Sequence, residues 1–208
     1  MTAAEPTPVV RSKARRITRE LLVFGAFALV LMSGRSSIAD HYKVPTGSME
    51  PTVEPGDRIV VNKAAYGVRV PFTHTFASRF EGPAIGDVVV LDSPEEDKVL
   101  LKRVVGTPGT RVEVRGGRIL IDGKLAPIEE RSSGVYEQLG DTLHPIRLTN
   151  GGGPDWGPAT IADDRYLVMG DNRGDSRDGR YFGLVERDVI IGRASAVYWR
   201  DGPTWEGL

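Results

Sequence analysis

The most restrictive feature of the chain is an uncharged run of fourteen residues at positions 21–34, LLVFGAFALVLMSG, in which no polar residue occurs before Ser33. A helix at a protein surface needs a polar face, and this segment has none, so it must be buried in protein or in lipid. Extended to Ala39 at ~1.5 Å per helical residue, it would span about 28 Å, close to the ~30 Å of a bilayer core. Arg35 would then lie one turn from the end of the helix, where its side chain can reach the headgroups.

The charges before this run indicate its orientation. Residues 1–20 contain five Lys or Arg and two Glu, and a cationic flank stays in the cytoplasm. We therefore predict a single-pass protein of the cell membrane, with a cytoplasmic basic tail (1–20), a transmembrane anchor (21–39) and an extracytoplasmic domain (40–208). A cleaved secretory signal ending at Ser37-Ile38-Ala39 is one alternative, and a buried core helix is another. The anchor and the cleaved signal both place the residues after 40 outside the cytoplasm.

Composition excludes several classes of site. The chain has no cysteine, which rules out disulfides, thiolate zinc sites, iron–sulfur clusters and a cysteine nucleophile. Its three histidines leave little for a metal centre, so we expect no metal and no cofactor. The 27 Lys and Arg nearly balance the 28 Asp and Glu, whereas a general nucleic-acid binder needs a basic excess. We therefore expect no nucleic-acid partner.

Short β-branched runs bounded by Gly, Pro or Asp follow residue 40 and predict strands. These runs occupy residues 57–63, 86–92, 98–105, 111–115, 118–122, 165–169 and 189–198. Gly116-Gly117 joins two of them as a hairpin turn, and no amphipathic helix of ordinary length is evident. The predicted fold is mostly β: an N-terminal transmembrane helix, then an antiparallel β-sheet domain. Residues 107–163 are predicted as a small β or irregular insertion, with the least regular part at 127–163.

Three phenylalanines, Phe72, Phe76 and Phe80, recur every four residues, a spacing that aligns them on one face of a helix. Such a stripe usually packs in a core. In a membrane-tethered protein, an apolar edge that dips into the lipid interface is a second interpretation.

A serine and a lysine are the first candidates for chemistry. Ser48 lies in VPTGSMEPT (44–52), where two prolines keep the chain extended and turning. The chain has no G-x-S-x-G elbow, but a lysine can act as the base if burial lowers its pKa. Lys102 lies in the apolar run VLLKRVV (99–105), and period-two alternation predicts that only one of Lys102 and Arg103 points to solvent. A lysine at a strand edge that reaches solvent is the alternative.

A third segment, MGDNRGDSRDGRYFG (169–183), is rich in Asp, Asn, Gly and Arg, which indicates a loop held by side-chain hydrogen bonds and ion pairs. A calcium loop starting at Asp171 is excluded, because its third, sixth and twelfth positions hold Arg173, Ser176 and Phe182. The tripeptide Arg-Gly-Asp within it is a common chance match, and a solvated charged turn is the ordinary alternative.

Together these segments resemble the bacterial type I signal peptidases, membrane-anchored serine–lysine endopeptidases. Four stretches occur in the family's order. After Arg35-Ser36 they are VPTGSMEPT (44–52), GDRIVVNK (56–63) with YGVRVPF (66–72), GDVVVL (86–91) leading to LKRVVGTPG (101–109), and GDNRxxSxDxR (170–180). The resemblance implies removal of signal peptides from secretory preproteins beside the lipid bilayer, by cutting after small residues in an Ala-x-Ala pattern.

The resemblance also implies residue roles. Ser48 would be the nucleophile, Lys102 the general base, and Ser176 the residue that hydrogen-bonds and orients the lysine. The backbone N–H of Ser48 and the hydroxyl of Thr46 would form the oxyanion hole. Ion pairs that hold the loop would involve Asp171, Asp178 and Arg180. The walls of the substrate pocket would be formed by Met49, Val53, Leu101 and Val168.

The chain departs from the family pattern at two positions. Thr46 stands where serine is common, which keeps the hydroxyl, and Ile85 stands where an arginine often precedes Gly-Asp, which puts a structural ion pair in doubt. Two other functions remain open. One is a self-cleaving serine–lysine regulator peptidase, which would carry a DNA-binding domain in place of the anchor. The other is a catalytically inactive, membrane-tethered β-domain that binds an envelope partner.

Overall fold

The computed structural model describes residues 16–25, 39–70 and 76–208. Residues 16–25 form an exposed helix, α1, with an ion pair one turn apart between Arg16 and Glu20. Most of the predicted anchor lies outside the described residues, as do residues 1–15 and Phe72. Within the described ranges, no helix is both long enough and apolar enough to cross a membrane.

The described part of the chain after residue 38 is mostly β, as predicted. Its helices are the 3₁₀ turns Gly47–Met49, Asn150–Gly152 and Arg187–Val189 and the short α2, Gly179–Phe182. Its strands are β1 (Ala39–Lys43), β2 (Arg58–Asn62), β3 (Gly67–Arg69), β4 (Phe76–Arg79), β5 (Val88–Asp92), β6 (Val99–Gly106), β7 (Arg111–Arg115), β8 (Arg118–Ile121), β9 (Lys124–Leu125), β10 (Ile128–Arg131), β11 (Gly134–Leu139), β12 (Thr142–Ile146), β13 (Trp156–Thr160), β14 (Arg165–Met169), β15 (Val185–Glu186), β16 (Ile190–Trp199) and β17 (Pro203–Gly207).

The largest sheet has the strand order β1-β2-β16-β5-β6-β14-β15, and β17 pairs with β16. Neighbouring strands in it are antiparallel. Strand β6 is therefore internal, with β5 on one side and β14 on the other. This places Lys102 in the middle of a sheet rather than at an edge.

Strand β5 shows why the sheet has a core on both faces. Its run Val88–Leu91 is fully buried. Val88 and Val90 belong to one apolar cluster, and Val89 and Leu91 belong to another. Burial of each aliphatic side chain stabilises the fold by ~1.5–3 kcal/mol. Since both faces of this strand are buried, its sequence is continuously apolar instead of alternating.

The segment 107–163 is more regular than the sequence predicts. It contains the four-stranded sheet β13-β7-β8-β9 and the three-stranded antiparallel sheet β10-β11-β12. The strands of the second sheet are rich in polar residues and partly exposed. Their period-two signal is therefore weak. Of the two forms predicted for the insertion, the β form is confirmed for residues 128–146 and the irregular form is wrong there.

The prediction that Phe76 and Phe80 share a helical face is also wrong. Phe76 begins strand β4, which pairs with β3, and Phe80 follows that strand with 50% of its surface exposed. An interval of four residues is even, so it places side chains on one face of a strand as well as of a helix. Phe76 instead lies under the guanidinium of Arg69, 4.5 Å from the ring centre.

Candidate active site

Ser48 lies in the 3₁₀ turn Gly47–Met49. The N–H groups of Glu50 and Val53 donate to the carbonyls of Gly47 and Met49 and close this turn. Met49 is only 1% exposed and packs in the same apolar cluster as Val88 and Val90. Because the core holds the Met49 side of the turn, the half-buried Ser48 keeps a fixed position at the rim of a cavity.

Lys102 reaches Ser48 from the middle of β6. Its Nζ donates a hydrogen bond to Ser48 Oγ at 2.7 Å, and the residue is 3% exposed. Burial lowers the pKa of Lys102 from 10.5 to about 8, although the charges of Asp178 and Asp171 oppose this shift. With a pKa of about 8, roughly a tenth of the lysine is unprotonated at pH 7. The arrangement provides a serine hydroxyl beside an amine that can accept its proton.

Arg103, the next residue along β6, is 1% exposed. Alternation allowed one of Lys102 and Arg103 to point to solvent, but neither does. The expected burial of Lys102 is confirmed, and Arg103 is buried as well because this internal strand is covered on both faces. Arg103 binds the carboxylate of Asp171 through two bonds, Nε–Oδ1 at 2.9 Å and Nη2–Oδ2 at 2.7 Å. Its Nη1 donates to the carbonyl of Gly86 at 2.7 Å.

Asp171 connects this arginine to the segment that carries the serine. Burial alone would raise the pKa of Asp171, but the charge and hydrogen bonds of Arg103 outweigh it, and the pKa lies below its usual value. The hydroxyl of Thr52, four residues after Ser48, donates to Asp171 Oδ2 at 2.6 Å. Asp171 thus pairs across the sheet with β6 rather than within its own loop.

Asp178 and Arg180 stabilise the loop that follows β14 from within. Both side chains are fully buried and form an ion pair at 2.8 Å. Asp178 also accepts from the N–H of Gly170 at 3.0 Å. Arg180 donates to the carbonyls of Gly152 and Arg173, at 2.5 and 2.7 Å.

Ser176 does not make the predicted hydrogen bond to Lys102. Its Oγ is buried and has no hydrogen-bond partner within the described part of the chain, while the lysine donates to Ser48. Ser176 nevertheless lies in the site, packed against Gly170. A Cβ at Gly170 would come within 2.3 Å of Ser176 Oγ and 2.4 Å of the Ser48 carbonyl, so only glycine allows these three segments to meet.

A cavity of about 440 Å³ opens beside Ser48 and Lys102. Of the four predicted wall residues, Met49 and Leu101 line the cavity, whereas Val53 and Val168 do not. Thr46, the predicted oxyanion donor, also lines it. Those two valines are fully buried in separate core clusters. Apolar runs in a sequence do not distinguish the wall of a cleft from the core behind it.

One end of the cavity is lined by Arg177. Its guanidinium forms a two-bond pair with Glu95, both at 2.7 Å, and thereby joins the loop after β14 to the turn between β5 and β6. The side chains are 60% and 33% exposed, so water competes with this pair.

Sequence reasoning missed five buried polar residues around the site, among them Arg173. Arg103 and Asn172 lie inside the quoted motifs but had no assigned role. Glu137 and His144 lie on β11 and β12, and Glu137 pairs with the buried Arg173. His144 Nε2 lies 3.7 Å from both Glu137 and Asp171. Burial and the charge of Arg103 lower the pKa of His144 to about 3, so it is neutral at physiological pH. Arg103 alone among them lies in a predicted strand, where a second charged residue in an apolar run was the available signal.

Comparisons with known proteins cover the part of the chain that contains this site. A family model described as "Signal peptidase, peptidase S26" matches residues 17–199. A signal peptidase I of Leptolyngbya laminosa is 34% identical over 183 residues, which cover 84% of this chain and 76% of that protein. A signal peptidase I of Pseudomonas aeruginosa is 35% identical over 230 residues, covering 95% and 79%. A crystal structure of a signal peptidase I from Enterococcus faecalis is 25% identical and covers 56% of this chain and 99% of that one, with a TM-score of 0.42.

Proposed function

The chain belongs to the peptidase S26 family of bacterial type I signal peptidases, and from that membership we propose that it cleaves signal peptides from secretory preproteins with Ser48 as nucleophile and Lys102 as general base. The observation that carries the assignment is the 2.7 Å hydrogen bond from Lys102 Nζ to Ser48 Oγ, made by a buried lysine whose pKa falls to about 8. A serine hydroxyl needs such a base to attack an amide.

The proposed reaction begins with unprotonated Lys102. It accepts the proton of Ser48 Oγ as that oxygen bonds to the scissile carbonyl carbon, and the carbonyl oxygen becomes an oxyanion. The backbone N–H of Ser48 and the hydroxyl of Thr46 donate to this oxyanion. Lys102 then returns the proton to the leaving amine as the C–N bond breaks. In the second half, Lys102 accepts a proton from the water that attacks the acyl carbon. It returns this proton to Ser48 Oγ as the ester bond breaks and the carboxyl product leaves.

The cavity supports cleavage after small residues. Met49 and Leu101 line it next to the reacting pair, and Ile59 and Val90 extend the apolar wall. Apolar walls disfavour charged side chains at the positions they contact, because burial removes such groups from water. We propose that these walls accept the small residues at −1 and −3 of an Ala-x-Ala site.

The proposed location rests on the sequence. We propose that residues 21–39 anchor the protein in the cell membrane and that residues 40–208 face outwards, which would hold the site next to substrates whose cleavage sites emerge from the bilayer. The protein should remain in the membrane fraction after alkaline carbonate washing, and its mature form should begin before residue 21. A mature protein that begins at Asp40 would instead support the cleaved signal.

The decisive experiment is cleavage of a preprotein with an Ala-x-Ala site by the detergent-solubilised full chain between pH 5 and 10. We expect Ser48→Ala and Lys102→Ala to lose at least ~10³-fold in kcat. Lys124→Ala, an exposed lysine on β9, should cut like the wild type. The acid limb of the wild-type pH profile should have a midpoint near 8, because only neutral Lys102 is a base. A folded Lys102→Ala variant with normal cleavage would contradict the proposal.

The alternative of an inactive, tethered β-domain is not favoured by the comparisons, whose relatives are named as signal peptidases. The same assay addresses it, since an inactive domain would leave the preprotein uncut at every pH.

A further inference from the structure

Asn172 forms two hydrogen bonds to the turn that carries the nucleophile. Its backbone N–H donates to the carbonyl of Ser48 at 3.1 Å, and its side-chain Nδ2 donates to the carbonyl of Gly47 at 3.1 Å. The residue is 4% exposed. Two consecutive peptide groups of the turn are thus bound by one residue that the catalytic assignment does not use.

The bond to Gly47 has a geometric consequence for Ser48. The carbonyl of Gly47 and the N–H of Ser48 belong to one peptide group, which is planar and trans, so the two bonds point in opposite directions. The Gly47 oxygen also accepts from the N–H of Glu50 at 3.1 Å. With its oxygen held by two donors, this peptide group cannot rotate, and the direction of the Ser48 N–H is fixed. Donation to the carbonyl also polarises the amide and strengthens its N–H as a donor.

The orientation of the Asn172 carboxamide is itself set by Thr149. The Thr149 hydroxyl donates to Asn172 Oδ1 at 3.1 Å, which leaves Nδ2 facing Gly47. The segment containing Thr149 is pinned to the loop by backbone bonds, from Arg147 N–H to Asp171 at 2.9 Å and from Arg173 N–H to Arg147 at 2.8 Å. The residues that follow β12 therefore support the nucleophile turn through Asn172.

We infer that Asn172, oriented by Thr149, is a positioning residue that aims the backbone N–H of Ser48 at the oxyanion. The inference rests on the proposed function, in which that N–H is an oxyanion donor. An oxyanion exists in the transition state and not in the bound substrate. If the Ser48 N–H no longer points at the oxyanion, kcat therefore falls and KM stays unchanged. Loss of a direct oxyanion donor costs about 10²–10³-fold, and loss of a residue that positions one costs less.

The test compares Asn172→Ala with the pair Thr149→Val and Thr149→Ser in the detergent-solubilised full chain. We expect Asn172→Ala to lower kcat about 10–50-fold with KM within about twofold of the wild type. Thr149→Val, which removes the hydroxyl, should lower kcat about threefold, and Thr149→Ser, which keeps it, should restore wild-type kcat. The acid limb of the pH profile should keep its midpoint, because Lys102 is not touched.

A peptide boronic acid gives a readout that a general structural defect would not move. Ser48 Oγ adds to its boron, and a boron-bound oxygen takes the place of the oxyanion. Its inhibition constant should rise in proportion to the loss of kcat, while that of the matching peptide amide, a ground-state ligand, should stay constant. A loss confined to KM, or a fall in kcat with an unchanged boronate constant, would overturn the inference.

The controls separate this inference from the function on which it rests. A wild type that neither cuts the preprotein nor binds the boronate overturns the proposed function and the inference with it. A wild type that cuts beside an equally active Asn172→Ala overturns the inference alone. If thermal unfolding shows that Asn172→Ala is unfolded, the Thr149 pair decides, and equal kcat for Val and Ser at 149 overturns the inference.

Discussion

Lys102 and Arg103 are neighbours on one strand and almost equally buried, yet their surroundings are opposite. Arg103 holds both oxygens of Asp171 and the carbonyl of Gly86. Lys102 donates to a hydroxyl, Ser48 Oγ. A guanidinium with a carboxylate remains a charged structural group, whereas a buried amine without an anion at contact distance is driven towards its neutral form. The difference between a structural cation and a base here lies in the partner and not in the depth of burial.

The same pairing extends through the rest of the site. Arg180 pairs with Asp178, and Arg173 pairs with Glu137, each with both side chains fully buried. Such pairs contribute little net stability compared with apolar packing, but the loss of one partner is costly because the other charge stays buried. The contrast between Lys102 and Arg103 should therefore appear as opposite effects on stability.

The largest effect is expected at Arg103. Arg103→Met leaves the carboxylate of Asp171 buried without its main partner, so the free energy of unfolding should fall by about 3–5 kcal/mol. Chemical denaturation of the full chain in detergent at pH 7 measures it. Arg103→Lys keeps the charge but not the two-bond geometry. Its free energy of unfolding should lie between those of Arg103→Met and the wild type. If Arg103→Met changes the free energy of unfolding by less than about 1 kcal/mol, Arg103 is not the structural cation that the contrast with Lys102 requires.

Lys102→Met should do the reverse and stabilise the fold while abolishing cleavage. The folded pKa of about 8 is lower than the ordinary 10.5, so between these values the unfolded state binds more protons and wild-type stability rises with pH. The variant's advantage should be largest below pH 8, about 2–3 kcal/mol, and should vanish near pH 10.5. Denaturation curves of both proteins at pH 7 and pH 10 check this. An advantage that does not depend on pH would mean that the lysine is not buried in its charged form.

A smaller effect is expected at Thr52, whose hydroxyl donates to Asp171. Thr52→Val removes a bond that helps to lower the pKa of Asp171, and the free energy of unfolding at pH 7 should fall by about 1–2 kcal/mol. A lowered carboxyl pKa gives stability that is lost as pH falls through the folded pKa. Acid unfolding of Thr52→Val should therefore begin at a higher pH than that of the wild type, and Thr52→Ser should resemble the wild type.

The smallest effect is expected for the exposed pair Arg177–Glu95. Although its two bonds are as short as those of Arg103 with Asp171, both partners face water, which compensates for their loss. Arg177→Ala should unfold at the same denaturant concentration as the wild type within experimental error. A destabilisation as large as that of Arg103→Met would show that hydrogen-bond geometry outweighs burial, contrary to the comparison.

Five of the eight strands of the main sheet could be predicted, because β2, β5, β6, β14 and β16 are short β-branched runs with Gly, Pro or Asp at their ends. The short outer strands β1, β15 and β17 lack such a run and were missed. The proximity of Ser48 and Lys102 entered through a resemblance, since residues 54 positions apart in sequence have no local pattern that joins them. The two-sided cover of β6 could not be predicted, because it depends on which distant segments pack against the two faces of the sheet. This is why Arg103 was misjudged, and why Val53 and Val168 were assigned to a wall that they do not form.

The strands β10–β12 were missed for a different reason. Period-two alternation is visible when one face of a strand is apolar and the other is polar. In these strands the buried positions include Glu137 and His144, which serve the charge network beside the site. A polar residue at a core position erases the pattern that would reveal the strand.

The bonds that bring Ser48, Lys102 and their supports together join parts of the chain that are far apart in sequence. Ser48 meets Lys102 across 54 residues, Thr52 meets Asp171 across 119, and Asn172 meets Gly47 across 125. Within the described residues, no short contiguous piece holds the proposed nucleophile and base with these partners, and contacts between such distant residues form slowly because loop closure costs entropy first. The site is therefore complete only in the finished tertiary structure, and we expect a partly synthesised chain to be unable to cut its neighbours.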